Sequence, residues 1–363
     1  MPRTIPVELG ERSYSVQVGG GLLDELGRCV AALPHARAAV VVADATVAGL
    51  YAGRAMDSLR AQGLEAALID FPAGEASKTL ATYSAVLDRL FAVAPAIDRR
   101  TVIVALGGGV TGDLAGFVAA TALRGLRFVQ CPTTLLADVD SSVGGKTGLD
   151  HAAGKNLIGA FHQPQAVLID PQTLQSLPED QLANGLAECV KHAVIRDRTL
   201  MEFIEDNIRP ILKRDTAVLE ELIARNVAIK AAVVSADERE AGQREHLNFG
   251  HTIGHAIEAC AGYGSIGHGQ AVSLGMVAAC RLAASRGLIE AEIEKRVQQL
   301  LAALHLPVRW KALSPAAVWE TMQHDKKARA GQVRMILPVM LGEVAVFEDI
   351  TPSAVEEALK AIA

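Results

Sequence analysis

TVIVALGGGVTGDLAGFVAATAL, residues 101–123, is the stretch that decides the fold. Of its first six residues, TVIVAL, five are apolar and most are β-branched, the pattern of a strand buried on both faces. GGGVTGD follows, and LAGFVAATAL then reads as a helix. Gly107, Gly109 and Gly112 satisfy GxGxxG between that strand and that helix. Backbone amides at such a turn, with the helix N-terminus, receive phosphate oxygens, so the segment points to a dinucleotide pyrophosphate. A plain tight turn is the competing reading. The usual acid about 20 residues on, at the next strand end, is missing, because RFVQCP closes without one. Asp44, ending an earlier strand, can bind a ribose or cap the helix that follows it. The expectation is a variant nucleotide-binding arrangement.

Upstream, residues 4–18 alternate like a hairpin or edge strands, and VGGGLLDELGRCVAAL becomes helical after its glycines. AAVVVAD (38–44) reads as a buried parallel strand, followed by a helix near 47–62 and a strand near 65–71. PAGEASK (72–78) is a turn into the helix TLATYSAVLDRLFA, and RFVQCPTT supplies a further strand and loop. Strands alternating with helices mean βαβ units and a mainly parallel sheet.

Downstream, GGKT (144–147) invites a phosphate-loop reading, but Asp140 stands where GxxxxGK[ST] needs its first glycine. Asp138, Asp140, Lys146, Lys155 and Asn156 gather there in glycine-rich, weakly periodic chain. Polar groups on loops beyond a sheet usually line a site. The neighbouring Leu135, Val143, Leu157 and Ile158 argue for burial over a solvated loop.

From about residue 179 strand signals nearly vanish, and 179–205, 215–235, 246–261, 269–287 and 289–304 show helical periodicity. The expected fold class is an α/β N-terminal Rossmann-like nucleotide-binding domain over residues 1–178 plus an all-α C-terminal domain over residues 179–363. In GLAECVKH, Glu188, Lys191 and His192 fall at i, i+3 and i+4 among apolar neighbours, where a carboxylate is costly without a cation. HLNFGHTIGHAIEACAGYGSIGHGQ (246–270) holds His246, His251, His255 and His268, four of the chain's ten histidines. His251 and His255 share a helix face. They resemble half of HExxH, but Thr252 replaces its Glu, which excludes that protease motif. A His/Glu/His set with an open position suits catalytic Zn²⁺. Spacing favours His251 with His255 as ligands, while helix geometry equally lets one bind metal and the other carry protons.

Bulk properties bound the rest. Half of the 363 residues are apolar, and the net charge of −6 comes with no basic block. Nucleic acid and anionic membrane are therefore not expected partners. The start has no apolar signal core, and no run of eighteen apolar residues suggests a membrane helix. Cys29, Cys131, Cys189, Cys260 and Cys280 form no CxxC pair and read as buried thiols of a reducing, cytoplasmic compartment.

GGGVTGDLAGFVAATALRG, CPTTLLADVDSSVGGKTGLD, GKNLIGAFHQP, GLAECVKH, VVSADERE, LNFGHTIGHAIE and the DKK segment follow one another in an order that resembles the 3-dehydroquinate synthase family. The resemblance runs from Asp44 to the final ILP strand. It implies a nicotinamide-binding α/β domain, a helical domain, and an active site between them. It also implies NAD⁺, one divalent metal (usually Zn²⁺, with Co²⁺ as an alternative), and a homodimer. The implied reaction converts 3-deoxy-D-arabino-heptulosonate 7-phosphate to 3-dehydroquinate and phosphate, a step of the shikimate pathway. It proceeds by transient oxidation at C5, phosphate elimination, reduction, ring opening and aldol closure.

Carried over position by position, Glu188, His251 and His268 resemble the metal ligands. His255 then resembles an acid/base residue, and Glu240 another proton-handling group. Arg124, Asp140, Lys146, Asn156, Lys191, Lys230, Arg244, Asn248 and Lys326 resemble substrate contacts. Asp44, Glu75, Lys78, Gly108, Gly109, Asp113, Thr133, Thr134 and Lys155 resemble NAD contacts. Two departures stand out: Gln270 replaces the acid of the family's HGE, and Asp138 occupies a position that is usually uncharged. If that missing acid orients the histidine, metal affinity falls. Other sugar phosphate cyclases, such as a 2-deoxy-scyllo-inosose or amino-dehydroquinate synthase, are the nearest alternatives. A polyol dehydrogenase and a noncatalytic NAD- or metal-binding regulator are more distant ones.

Overall fold

The structure is a computed structural model and describes residues 2–94, 96–240, 242–262, 265–311, 314–324, 333–360 and 362–363. Lys326, a sequence-based candidate, lies outside the described residues. Two compact units emerge, one formed by Met1–Leu177 with Leu219–Ser235, the other by Pro178–Val218 with Ala236–Ala363. A single break between 178 and 179 does not express this division, because most of the helix Thr216–Ala236 packs with the first unit.

The first unit is built on a seven-stranded sheet. In chain order its strands are β1 (Arg3–Val7), β2 (Tyr14–Val18), β3 (Ala38–Asp44), β4 (Glu65–Phe71), β5 (Thr101–Gly107) and β6 (Arg127–Pro132). A separate two-stranded hairpin, β7 (Lys146–His151) with β8 (Gly154–Phe161), precedes the last sheet strand, β9 (Ala166–Ile169). The spatial order is β1-β2-β9-β6-β5-β3-β4, with β1 and β2 antiparallel and all other neighbours parallel. Every residue of β5 is buried, as its unbroken apolar run requires. Helices Leu26–Ala31 and Gly53–Ala61 cover one face, and Leu80–Phe91 and Gly109–Thr121 the other.

From β3 the chain goes to β4 on one side and returns through β5 on the other, so the sheet reverses between β3 and β5. Ligands of open α/β sheets bind beyond the carboxyl ends of the strands at such a reversal. Asp44 ends β3 and Gly107 ends β5, one on each side of it. Asp44 also caps the helix that follows, its Oδ1 accepting from the Thr46 and Val47 amides at 3.0 and 3.1 Å.

Among the described residues the second unit is helical apart from one hairpin, β10 (Met335–Met340) with β11 (Glu343–Phe347), formed where the ILP run reads as strand. The helical stretch from 179 divides into Glu179–Arg196 and Arg198–Asp206, because Asp197 leaves helical geometry and caps the second helix through the Thr199 and Leu200 amides. Gln243–Asn248 is a short 3-10 turn that precedes the helix His251–Ala261. All five cysteines are free, but the expected uniform burial does not hold: Cys29 is half-buried and Cys260 is exposed. Among the described residues no helix is long and apolar enough to cross a membrane.

Candidate active site

In the first unit the glycine turn is shaped by close approach. Gly108 precedes the helix Gly109–Thr121, and a Cβ on Gly108 would stand 3.0 Å from Thr134 Cγ2. A Cβ on Gly109 would stand 3.2 Å from Ser141 Oγ. A Cβ on Gly112 would come to 2.7 Å from Gln130 Oε1, so glycine there lets the helix lie tightly on β6. The backbone amide of Thr133 donates to the Gly107 carbonyl, while its buried hydroxyl has no hydrogen-bond partner among the described residues. Thr134 Oγ1 accepts from the Ala137 amide. A glycine turn, a helix N-terminus and an orphaned hydroxyl beside a sheet reversal fit a dinucleotide.

The GEASK turn closes over this region through Lys78. Its ammonium is almost fully buried and donates to Asp113 Oδ2 and Asn156 Oδ1, each at 2.5 Å. Burial alone would push the Lys78 pKa down, but the Asp113 charge and hydrogen bond outweigh it and hold it above the usual value. Lys155 Nζ stands 3.7 Å from Glu75 Oε1, so β8 and the turn meet a second time. Lys230, also buried, bonds to the Asp140 carbonyl and pairs with Asp140 Oδ1 at 2.5 Å. Arg124 follows Leu123 with φ of 62° and 49°, two left-handed residues before Gly125. Such strain in non-glycine residues concentrates at functional turns. Lys146 is exposed at the start of β7.

In the second unit three helices bring the ligating atoms together. Glu188 lies in the helix Glu179–Arg196 with its side chain fully enclosed. One turn earlier Asn184 packs on the loop and helix start that carry His268: Cβ atoms on Gly267 and Gly269 would come to 2.7 and 2.3 Å from Asn184. Those glycines therefore let His268 approach Glu188. The helices His251–Ala261 and His268–Ser285 approach through glycine as well, since a Cβ on Gly275 would lie 1.9 Å from the Gly250 carbonyl oxygen. Gly250, at φ 77°, starts the first of these helices in a conformation that favours glycine.

The result is a buried gap. His251 Nε2 stands 3.5 Å and His268 Nε2 3.7 Å from Glu188 Oε1. Neither Glu188 oxygen has a well-formed hydrogen bond among the described residues, although the Lys191 ammonium touches Oε2. The His251 Nδ1 faces the Phe249 carbonyl at 3.1 Å; donating to it leaves Nε2 as a lone-pair donor. His268 Nδ1 faces Glu258 Oε2 at 3.2 Å, which leaves its Nε2 in the same state. Burial disfavours the charged imidazole of His268, but the Glu258 hydrogen bond and the charges of Glu188 and Glu258 outweigh it and raise its pKa. Two imidazole nitrogens and a carboxylate turned on one point can hold a cation there, and the set matches a three-ligand Zn²⁺ site.

His255 places its ring near both other histidines, edge to face with His251 at 5.3 Å between centroids and tilted against His268 at 5.9 Å. His246, on the 3-10 turn, enters no group of metal-ligating side chains among the described residues. The buried Arg244 guanidinium bonds the Glu238 carbonyl and lies 3.8 Å from Glu240 Oε1, and Asn248 ends the same turn. Glu240 itself has φ 59° and is exposed. Glu258 was not singled out in the sequence, although its place one turn after His255 in HTIGHAIE puts it on the histidine face. Gln270, at the position of the family's acid, accepts from the Gly267 amide at 3.0 Å and closes the start of its helix.

The 3-dehydroquinate synthase N-terminal and C-terminal family profiles match residues 68–184 and 185–328. The 3-dehydroquinate synthase of Desulforamulus reducens is 47% identical over 348 residues, covering 96% of each chain. Among solved structures, ValA, a 2-epi-5-epi-valiolone synthase from Streptomyces hygroscopicus bound to NAD⁺ and Zn²⁺, superposes with a TM-score of 0.87 at 31% identity over 98% of both chains. A 2-deoxy-scyllo-inosose synthase complexed with carbaglucose-6-phosphate, NAD⁺ and Co²⁺ gives a TM-score of 0.87 at 26% identity over 100% of both chains. With full-length identity of this order added to the sheet reversal and the buried His/Glu/His gap, the chain belongs to the 3-dehydroquinate synthase family.

Proposed function

We propose that this enzyme converts 3-deoxy-D-arabino-heptulosonate 7-phosphate to 3-dehydroquinate and phosphate. The observation that carries the reading is the buried gap among Glu188 Oε1, His251 Nε2 and His268 Nε2. When bound, NAD⁺ supplies a reversible hydride acceptor, and a divalent cation, Zn²⁺ or Co²⁺, supplies a Lewis acid.

The chain's own residues do the rest. Glu188, His251 and His268 would hold the cation. The glycine turn with Thr133, Thr134 and Asp113 would receive the dinucleotide phosphates, and Asp44 its ribose, while Glu75, Lys78 and Lys155 close the turn over it. Lys146, Lys191, Lys230, Arg124, Arg244 and Lys326 offer the cationic groups that a carboxylate and a phosphate demand. Asn156, Asn248 and Asp140 orient hydroxyls and those cations. His255 takes and returns the proton of the reacting hydroxyl, and Glu240 handles a further proton. Holding the opened chain in position favours ring closure. The partner is thus a small sugar phosphate. A homodimer in the cytoplasm completes the reading, and light scattering of the purified protein tests the dimer.

The deciding experiment follows phosphate release from the heptulosonate phosphate with Zn²⁺ and substoichiometric NAD⁺. Many turnovers per NAD⁺ without accumulated NADH are expected. Stoichiometric NADH would make the protein a dehydrogenase. Turnover of glucose 6-phosphate in place of the heptulosonate would move it to the inosose branch of the same fold.

A further inference from the structure

We propose that Glu258 is the positioning carboxylate of the metal centre: it holds the His268 imidazole by Nδ1 so that Nε2 faces Glu188, and so sets how tightly the cation is held. The inference rests on the metal reading above. Glu258 lies two helical turns beyond His251 and one beyond His255 on the helix His251–Ala261, so all three share a face. Its side chain is nearly enclosed, with 6% of the residue exposed. A carboxylate so placed needs a donor, and His268 Nδ1 stands 3.2 Å from its Oε2. A neutral imidazole has one donor and one acceptor nitrogen, so a proton on Nδ1 leaves the Nε2 lone pair free to ligate. A carboxylate behind a ligating imidazole also makes that imidazole more basic, and removing it typically costs 10–100-fold in metal affinity.

The two histidines are therefore held differently. His251 faces a neutral carbonyl, that of Phe249, whereas His268 faces a charged group. The Gln270 Oε1 is engaged at the helix start, accepting from the Gly267 amide. One competing arrangement exists: ligating atoms of His255, Glu258 and His268 also lie within 4.8 Å of one another, so Glu258 could instead bind a cation directly.

Metal-stripped full-length protein, titrated with Co²⁺ against a chelator and followed by the visible absorption of the ion, separates these cases. Glu258→Gln keeps the side-chain shape and removes only the charge, and circular dichroism checks its fold. The expected result is one Co²⁺ per chain in Glu258→Gln, bound about 10–100-fold more weakly than in the parent and with a shifted absorption band. Glu188→Ala is expected to abolish binding. Parent-like affinity and band shape in folded Glu258→Gln would overturn the inference while leaving the metal reading intact. Binding lost in Glu258→Gln but kept in Glu188→Ala would make Glu258 a ligand and overturn both. Parent-like binding in Glu188→Ala, with Glu258→Gln weakened, would overturn the three-ligand reading on which the inference stands. If Glu258→Gln does not fold, Glu258→Asp, whose shorter arm draws the carboxylate back from Nδ1, is read by the same criteria.

Discussion

His251 and His255 stand one helical turn apart with rings edge to face, centroids 5.3 Å apart, yet they keep different company. His251 brings Nε2 to 3.5 Å from Glu188 Oε1, while His255 groups with Glu258 and His268. Two imidazoles on one helix face can thus serve two roles. His251→Ala and His268→Ala are expected to lose the cation. His255→Ala is expected to keep it and lose about 10²–10⁴-fold in kcat, the usual share of a general acid/base. Metal content by mass spectrometry alongside steady-state kinetics checks this. Full metal retention in His268→Ala would remove it from the ligand set.

Lys78 ties together three segments by its bonds to Asp113 and Asn156. Removing one partner of a buried ion pair typically costs about 3–5 kcal/mol, because the other charge is left uncompensated. Asp113 keeps a fifth of its side chain exposed, so the lower end of that range applies here. Lys78→Met is expected to lower stability and weaken NAD⁺ binding together. Adding Asp113→Asn should restore much of the stability and little of the affinity. Denaturant melts and calorimetric NAD⁺ titration on the single and double variants test the pairing; additive stability losses would show that the two side chains act independently.

The strand-turn-helix of 101–123 was legible because its signals are local: an unbroken apolar run, then glycines, then helix. Which acid stands across the reversal was not legible from that segment alone. The candidate Asp44 lies far upstream in sequence, and only the sheet order makes β3 the neighbour of β5. The β7–β8 hairpin was hidden in glycine-rich chain. A Cβ on Gly148 would lie 2.4 Å from the Ile158 carbonyl oxygen and one on Gly159 2.3 Å from that of Thr147, so glycine on both strands erases the alternation that marks a hairpin. β9 is only four residues long and shows no period, although it joins β6 to β2. Leu157, expected to be buried, is exposed on β8. At the metal centre the spacing placed His251 and His255 on one face. It could not reveal which nitrogen meets Glu188, since that depends on how three helices pack.

That packing gives a test away from every ligand. A Cβ on Gly275 would lie 1.9 Å from the Gly250 carbonyl oxygen and 2.9 Å from the Gly254 amide, both backbone atoms that cannot swing aside. Gly275→Ala is expected to part the helices that carry His251 and His268, costing about 1–3 kcal/mol, the usual range for overpacking. Metal affinity should fall with stability although no ligand has changed. Thermal melts and Co²⁺ titration read both quantities. Stability and affinity equal to the parent's would contradict the close approach of the two helices.

Gln270 offers the converse case. Its Oε1 accepts from the Gly267 amide, a bond that a glutamate can make equally well at a helix start. Gln270→Glu, which restores the family's acid, is therefore expected to leave metal affinity within about twofold and to add roughly 0.3–1 kcal/mol through the helix dipole. Co²⁺ titration decides: a large gain in affinity would mean that this position, and not Glu258, governs His268.

Asp138 links this chain's other departure to pH. Its carboxyl is fully enclosed, neither oxygen has a hydrogen-bond partner among the described residues, and burial followed by the charge of Asp170 holds its pKa well above 3.8. The folded protein then keeps a proton that the unfolded chain releases. The unfolded state binds fewer protons, so stability falls as pH rises from about 3.8 toward the folded pKa. The slope over that window is about 1.4 kcal/mol per pH unit. Asp138→Asn cannot ionise and escapes this loss. It is expected to gain stability relative to the parent as pH rises above about 4, and the two are expected to converge as pH is lowered toward 4. Urea melts of both proteins across this range measure the difference. A stability difference that does not change with pH would mean that Asp138 ionises alike in the folded and unfolded chains, and that an unobserved partner compensates its buried charge.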